Sequence, residues 1–279
     1  MNSPSDWIER LGHERAVLVR VAATQGSAPR EAGAWMAVFA QEVVGTIGGG
    51  HLEFEAIAQA QALLRAGTVA AAVECRFALG PSLGQCCGGV VHLAFEPLGV
   101  CDAAARVALR QRLSPPTMPL ALFGGGHVGR AIVQMCAELP FALRWVDSRD
   151  GIFPAELASH VRAEHSEPVQ AAVDTLDAQS RVLIMSFSHA EDLDIVAACL
   201  RRQRERADLP FIGLIGSKSK WAAFRHRLEV RGFGDDEIAQ VTCPIGLPGL
   251  RGKEPAVIAV SVVAQLLLSD SLGSLGSAE

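Results

Sequence analysis

No run of apolar residues in this 279-residue sequence is long enough to cross a membrane. The longest, 256–268, is interrupted by Ser261 and Gln265 and falls short of the roughly 20 residues that a bilayer core requires. Positive charge is not in excess: 25 Lys and Arg against 30 Asp and Glu leave a net charge of −5. A broad nucleic-acid-binding face is therefore not expected. Residues 1–6 hold no basic segment leading into an apolar one, so no secretory signal is expected and the chain reads as cytoplasmic. The glycines follow no Gly-X-Y period, which excludes collagen, and there is neither a solenoid repeat nor a low-complexity tract. C-x-x-C and H-x-x-x-H spacings are also missing, so no zinc pattern is present. The 7 cysteines form no spaced framework, as befits small hydrophobes in a reducing compartment.

What is there is a globular composition, 49% hydrophobic and 20% charged, with glycine over-represented at 27 residues. Pro115, Pro116 and Pro119 form a stiff connector. It separates an N-terminal domain, 1–113, from a C-terminal one, 120–268, with 114–119 as linker and 269–279 as a flexible tail. In the first domain the apolar patterns predict strands over 16–22, 34–39, 42–47, 70–77 and 90–95, and helices over 52–66 and 101–112. In the second, strands over 120–123, 141–146, 182–186 and 211–215 alternate with helices over 128–138, about 169–176 and 191–201. The fold class is therefore α/β: a small mixed α+β domain, then a Rossmann-like, doubly wound parallel sheet. The basic run Arg201–Arg206 reads as a solvated helix end.

The glycines gather at loops. Gly124-Gly125-Gly126-His127-Val128-Gly129 follows a strand and opens a helix, with Asp147 at the end of the next strand. In such a turn Gly124 allows the bend, Gly126 lets a pyrophosphate approach, and Gly129 permits close helix–strand packing. Asp147 is placed for a ribose diol and Arg149 for a further phosphate. Gly48-Gly49-Gly50-His51 is a second strand–turn–helix, suited to an anion. Arg30, after the first strand, offers a bidentate phosphate contact. In Gly84-Gln85-Cys86-Cys87-Gly88-Gly89 the thiols suit a soft metal or a sulfur-bearing cofactor. Ser217 and Lys218 follow a strand end, where parallel sheets bind ligands.

Six motifs in this order carry a resemblance: 26–30, 48–53, 83–89, 124–129, 146–149 and 243–247. Together they resemble the XdhC/CoxI family, the xanthine dehydrogenase accessory proteins, over about residues 10–268, and 246–260 is more similar to the XdhC branch. The resemblance implies a non-enzymatic cytoplasmic chaperone. It implies binding of the molybdenum cofactor (molybdopterin), its protection while a cysteine desulfurase supplies sulfur, and insertion into an apo molybdenum hydroxylase such as xanthine dehydrogenase. Cys86 and Cys87 then become candidate contacts to molybdenum. The glycine loops, Gln85, Gly88 and Arg30 become cofactor-binding candidates, with a nucleotide at the Rossmann-like loop. A homodimer is expected. The alternative from the residues alone is an NAD(P)-dependent oxidoreductase using Asp147, with Ser188, His189, Asp192 and Asp194 nearest to a proton donor.

Overall fold

The computed structural model describes residues 4–67, 72–79, 88–113, 117–158 and 160–274. The chain divides into two compact units, Met1–Ser114 and Pro115–Glu279.

The first unit runs α1 (Pro4–Arg10), β1 (Ala16–Gln25), β2 (Trp35–Val38), β3 (Val43–Gly45), α2 (Gly50–Ala66), β4 (Val73–Ala78), β5 (Val90–Leu98) and α3 (Ala103–Leu113). Its strands form an antiparallel sheet in the order β3-β2-β1-β5-β4. Successive strand side chains point to opposite faces. Val17, Val19 and Val21 therefore pack with Leu52, Ala56 and Ala60 of α2. Ala16 and Leu18 pack with Trp7, Ile8 and Leu11 of the N-terminal segment and Leu109 and Leu113 of α3. Covering both faces is why β1 opens on four consecutive buried apolar residues, Ala16 to Val19, rather than on an alternating pattern. Past a register shift between Val21 and Ala23, β1 leaves the core. Strands β1, β3 and β4 share one direction, so their C-terminal ends and the start of β5 lie at one edge, where α2 also begins.

The second unit comprises β6 (Met118–Phe123), α4 (His127–Met135), β7 (Phe141–Asp147), β8 (Val161–His165), β9 (Arg181–Ile184), α5 (His189–Arg206), β10 (Phe211–Leu214), α6 (Lys218–Val230), α7 (Asp235–Ile238), β11 (Val241–Thr242) and α8 (Pro255–Ser274). All its strands are parallel, in the order β11-β10-β9-β6-β7-β8. Counted from β6, that is the 3-2-1-4-5-6 order of a Rossmann sheet, with its switch point between β6 and β9. Leu120 and Leu122 face Ile132 of α4 and Ala259, Val262 and Leu266 of α8. Ala121 and Phe123 face the other layer, with Leu193, Val196 and Leu200 of α5.

Two local expectations change. The segment expected as an α-helix over 169–176 is a 3-10 helix, Val169–Thr175. It begins after Pro168 and is rich in β-branched residues, which favour the α-helix little. The basic run at the end of α5 is not wholly solvated: Arg202 is 3% exposed. Its guanidinium donates to Asp208 at 2.9 and 2.7 Å and to the carbonyls of Val173 and Leu176 at 2.7 and 2.9 Å. An arginine so buried is held by charge-assisted bonds on every side.

Candidate functional site

At the shared strand edge of the first unit, three of the sequence motifs meet. Gly48, at φ +120°, lies so close to the 26–30 loop that a Cβ there would stand 2.5 Å from Pro29 Cβ and 3.1 Å from Arg30 Cγ. Gly89 packs on the same loop: its Cβ would fall 2.3 Å from the Ser27 carbonyl oxygen. Only glycine fits at either position. Arg30 itself is exposed. Gly88 and Gly49 have open space where a side chain would stand. Gln85, Cys86 and Cys87 lie outside the described residues, but the flanks of their segment are fixed to this edge. Leu79 donates its backbone N–H to the Gly89 carbonyl at 2.8 Å.

Helix α2 starts at this edge from Gly49, which supplies no side-chain cap. Its third residue beyond Gly50, Glu53, turns back instead. The carboxylate accepts from the Ile47 and Gly49 amides at 3.0 and 3.1 Å and from Thr46 Oγ1 at 2.5 Å. The loop amides that the sequence offers to an external anion are thus turned onto one of the chain's own. His51 faces outward, its Nε2 3.1 Å from Glu55 Oε1, beside the exposed Phe54. Removing the Glu53 carboxylate by Glu53→Ala is expected to lower the stability of this unit by about 1.5–3 kcal/mol, the range for hydrogen bonds to a charged group. A thermal melt that does not move would contradict this.

In the second unit the glycine turn sits at the C-terminal end of β6. Gly124 bends at φ +128°, 2.1 Å separating its would-be Cβ from the Met185 carbonyl oxygen. At Gly129 a Cβ would meet the Gly124 carbonyl oxygen at 2.1 Å, so the helix rests directly on the turn. The Trp145 indole N–H donates to the Gly124 carbonyl at 2.9 Å and anchors it. Gly126, the N-cap of α4, is exposed with nothing near it.

Asp147, 2% exposed, accepts from the Gly125 amide at 2.5 Å. It also accepts from the Arg149 amide at 2.9 Å and from the Arg149 Nε and a terminal guanidinium nitrogen, each at 2.9 Å. A carboxylate has about four lone-pair sites, and these bonds fill them. Burial pushes the Asp147 carboxyl up, but the bonds from Arg149 and Gly125 outweigh it and hold it below the usual carboxylate range. The diol acceptor required by the nicotinamide reading is therefore engaged by the chain itself.

Ser217 accepts from the Lys220 amide at 3.2 Å as the N-cap of α6, and Lys218 is exposed. The cation that turns inward is Lys220. Its ammonium donates to Asp192 at 2.7 Å and to the Ile215 carbonyl at 2.9 Å. Asp192, 2% exposed, also accepts from the Ser186 amide and hydroxyl, both at 2.8 Å. Ser188 caps α5, and Asp194 pairs with Arg231 on the surface. The Asp192–Lys220 pair, through Ser186, fixes the loop after β9. The sequence carried a sign of it: a lysine in a first helical turn opposes the helix dipole unless its charge is matched. Cys243, from the 243–247 motif, also packs near Lys220, and burial pushes its thiol up to about 11.

Residues 120–266 match the family model described as the XdhC Rossmann domain, and residues 10–74 match that of the XdhC and CoxI family. Among curated proteins, the uncharacterized protein YqeB of Escherichia coli (strain K12) is 26% identical over 253 residues. The match takes in 90% of this chain but 42% of that relative, so the chain spans less than half of its length. The crystal structure of a xanthine dehydrogenase from Bacillus halodurans is similar at a TM-score of 0.75 and 19% identity, covering 97% of this chain and 96% of that one. At that identity the likeness is one of fold.

Proposed function

Because the chain belongs to the XdhC and CoxI family, we propose that it is a non-catalytic accessory factor of a xanthine dehydrogenase or a related molybdenum hydroxylase. In this reading it binds the molybdenum cofactor, shields it while a cysteine desulfurase supplies the terminal sulfur, and passes it to the apo hydroxylase. The observation that carries the reading is the meeting of three glycine-bearing loops at one edge of the first unit. Gly48 and Gly89 are packed against the 26–30 loop, which carries the exposed Arg30, while Gly49 and Gly88 have open space where a side chain would stand.

The residues there suit a molybdopterin. Its phosphate matches Arg30 and, in exchange for the Glu53 carboxylate, the loop amides before α2. Its soft, dithiolene-bound metal matches the thiols of Cys86 and Cys87, carried between Leu79 and Gly88. The glycines supply backbone rather than side chains to the contact, which lets a bulky planar ligand come close.

The test is to purify the chain from cells that make the cofactor and to measure molybdenum by mass spectrometry and pterin by fluorescence. Both are expected in equal amounts. Cys86→Ala combined with Cys87→Ala is expected to lower them about tenfold, equivalent to about 1.4 kcal/mol of lost interaction. Native mass spectrometry of the same sample is expected to show two subunits. Protein free of both molybdenum and pterin would sink the reading, and an unchanged double variant would remove the thiols from it.

A further inference from the structure

Phe187 lies in the loop between β9 and α5, beside the switch point of the parallel sheet, and is 66% exposed. A large aromatic side chain gains nothing from water, so such exposure at a ligand-binding position calls for a reason. The exposure does not arise from a loose loop. On one side the amide and hydroxyl of Ser186 are held by the buried Asp192, itself paired with Lys220. On the other, Ser188 caps α5 through the Glu191 amide at 3.2 Å. The ring is presented on a fixed support.

One side of the ring is occupied. The Arg149 guanidinium stands 4.7 Å from the Phe187 centroid, within cation–π range. Arg149 is itself oriented by its two-pronged bond to Asp147. The end of β7 therefore reaches across to the end of β9, past β6 and its glycine turn. A second bridge runs beside it, Ser148 Oγ donating to Glu191 Oε1 at 2.7 Å. Asp147, the expected ribose acceptor, is thereby spent on orienting a cation above an aromatic ring.

We infer that the Phe187 ring, backed on one side by Arg149, forms a stacking platform for a planar, fused-ring nitrogen heterocycle on its other side, and that this crevice recognises a ligand by its ring rather than by a ribose diol. The heterocycle is the purine of a nucleotide or a pterin, and Gly126 leaves the turn open to its phosphate. The inference rests on the reading above only in taking the chain to bind a phosphate-bearing heterocycle. Phe187 selects by stacking, and Asp192 and Lys220 are positioning residues for its loop.

Calorimetric titration of the full chain with GMP, neopterin and ribose 5-phosphate tests this. At least one ring-bearing probe is expected to bind. Phe187→Ala is expected to weaken it about tenfold or more, as loss of one base–aromatic stack does, and Phe187→Trp to restore it. Ribose 5-phosphate, which has no heterocycle, is expected to respond to neither change. Because Phe187 is exposed, the variants are expected to melt with the wild type. GMP alone binding assigns a nucleotide, and neopterin alone a pterin. If neither binds, or if Phe187→Ala binds them as the wild type does, the stacking platform is overturned. Molybdenum and pterin retained in the purification test would then leave the accessory reading standing.

Discussion

Arg202→Met is expected to destabilise the second unit by about 3–5 kcal/mol, the cost of removing one partner from a buried ion pair. Methionine fills most of the space but supplies none of the bonds. Asp208 loses both of its guanidinium contacts, and the Val173 and Leu176 carbonyls at the C-terminal end of the 3-10 segment lose their donor. The effect depends on pH with a definite sign. The Arg202 bond holds the Asp208 carboxyl below the usual range. A carboxylate so depressed contributes stability fully above its unfolded pKa of about 4 and loses it as pH falls through the lower folded value. The gap between wild type and variant is therefore widest near neutrality and narrows in acid. Urea unfolding, with hydrogen exchange over 120–266 to isolate this unit, measures it. Equal midpoints at neutral pH would show that the pair contributes nothing net.

Gly124→Ala is expected to be comparably damaging, for a steric reason. Its backbone sits at φ +128°, and the new Cβ would stand 2.1 Å from the Met185 carbonyl oxygen. Strained backbone costs about 1–3 kcal/mol, and forcing atoms into a packed site costs about as much again. Neither neighbour yields easily. Met185 donates its own amide to the Phe123 carbonyl at 2.9 Å, and Trp145 holds the Gly124 carbonyl. Gly126→Ala is the control, because Gly126 has φ −71° and open surroundings. It is expected to change stability by less than about 0.5 kcal/mol, as exposed substitutions do. If both alanines melt alike, the turn is not as tightly built as these distances require.

The parallel sheet was legible because its buried strands are short apolar runs divided by helices and punctuated by glycine. β8 was not, because it is an edge strand with one buried residue, Val161, and so has no apolar period to read. α1 escaped for a different reason: it is a single short stretch whose Trp7 and Ile8 have no repeats to mark a helix. The two polar residues within the apolar stretch 256–268 have a use that no pattern announces. Gln265 and Ser261 accept from the Gly246 and Leu247 amides, both at 2.7 Å, and so hold the loop that follows β11.

At the site, sequence located the loops better than it assigned the partners. Glycines mark where a backbone must turn or approach, and that is a local property. Which carboxylate meets which cation depends on where strands end relative to one another. The spacing directs Asp147 toward a ribose, yet Arg149, two residues past the strand end, reaches it first. Ser217 and Lys218 follow the strand end and so read as ligand candidates, but Ser217 caps α6 and it is Lys220, within the first turn, that meets Asp192.

The carboxylate of Glu53 bears on how firmly the first unit can hold an anion. It sits on the amides of Ile47 and Gly49 as a tethered occupant. Any phosphate arriving there meets a rival that never diffuses away and whose effective concentration is set by the chain. The apparent dissociation constant is the intrinsic one divided by the fraction of molecules in which Glu53 has swung clear. Occupancy thus becomes an exchange of one anion for another, with the amides satisfied before and after. Departure of the visitor leaves no exposed donors behind, so a loop of this kind favours exchange of a bound anion over its retention.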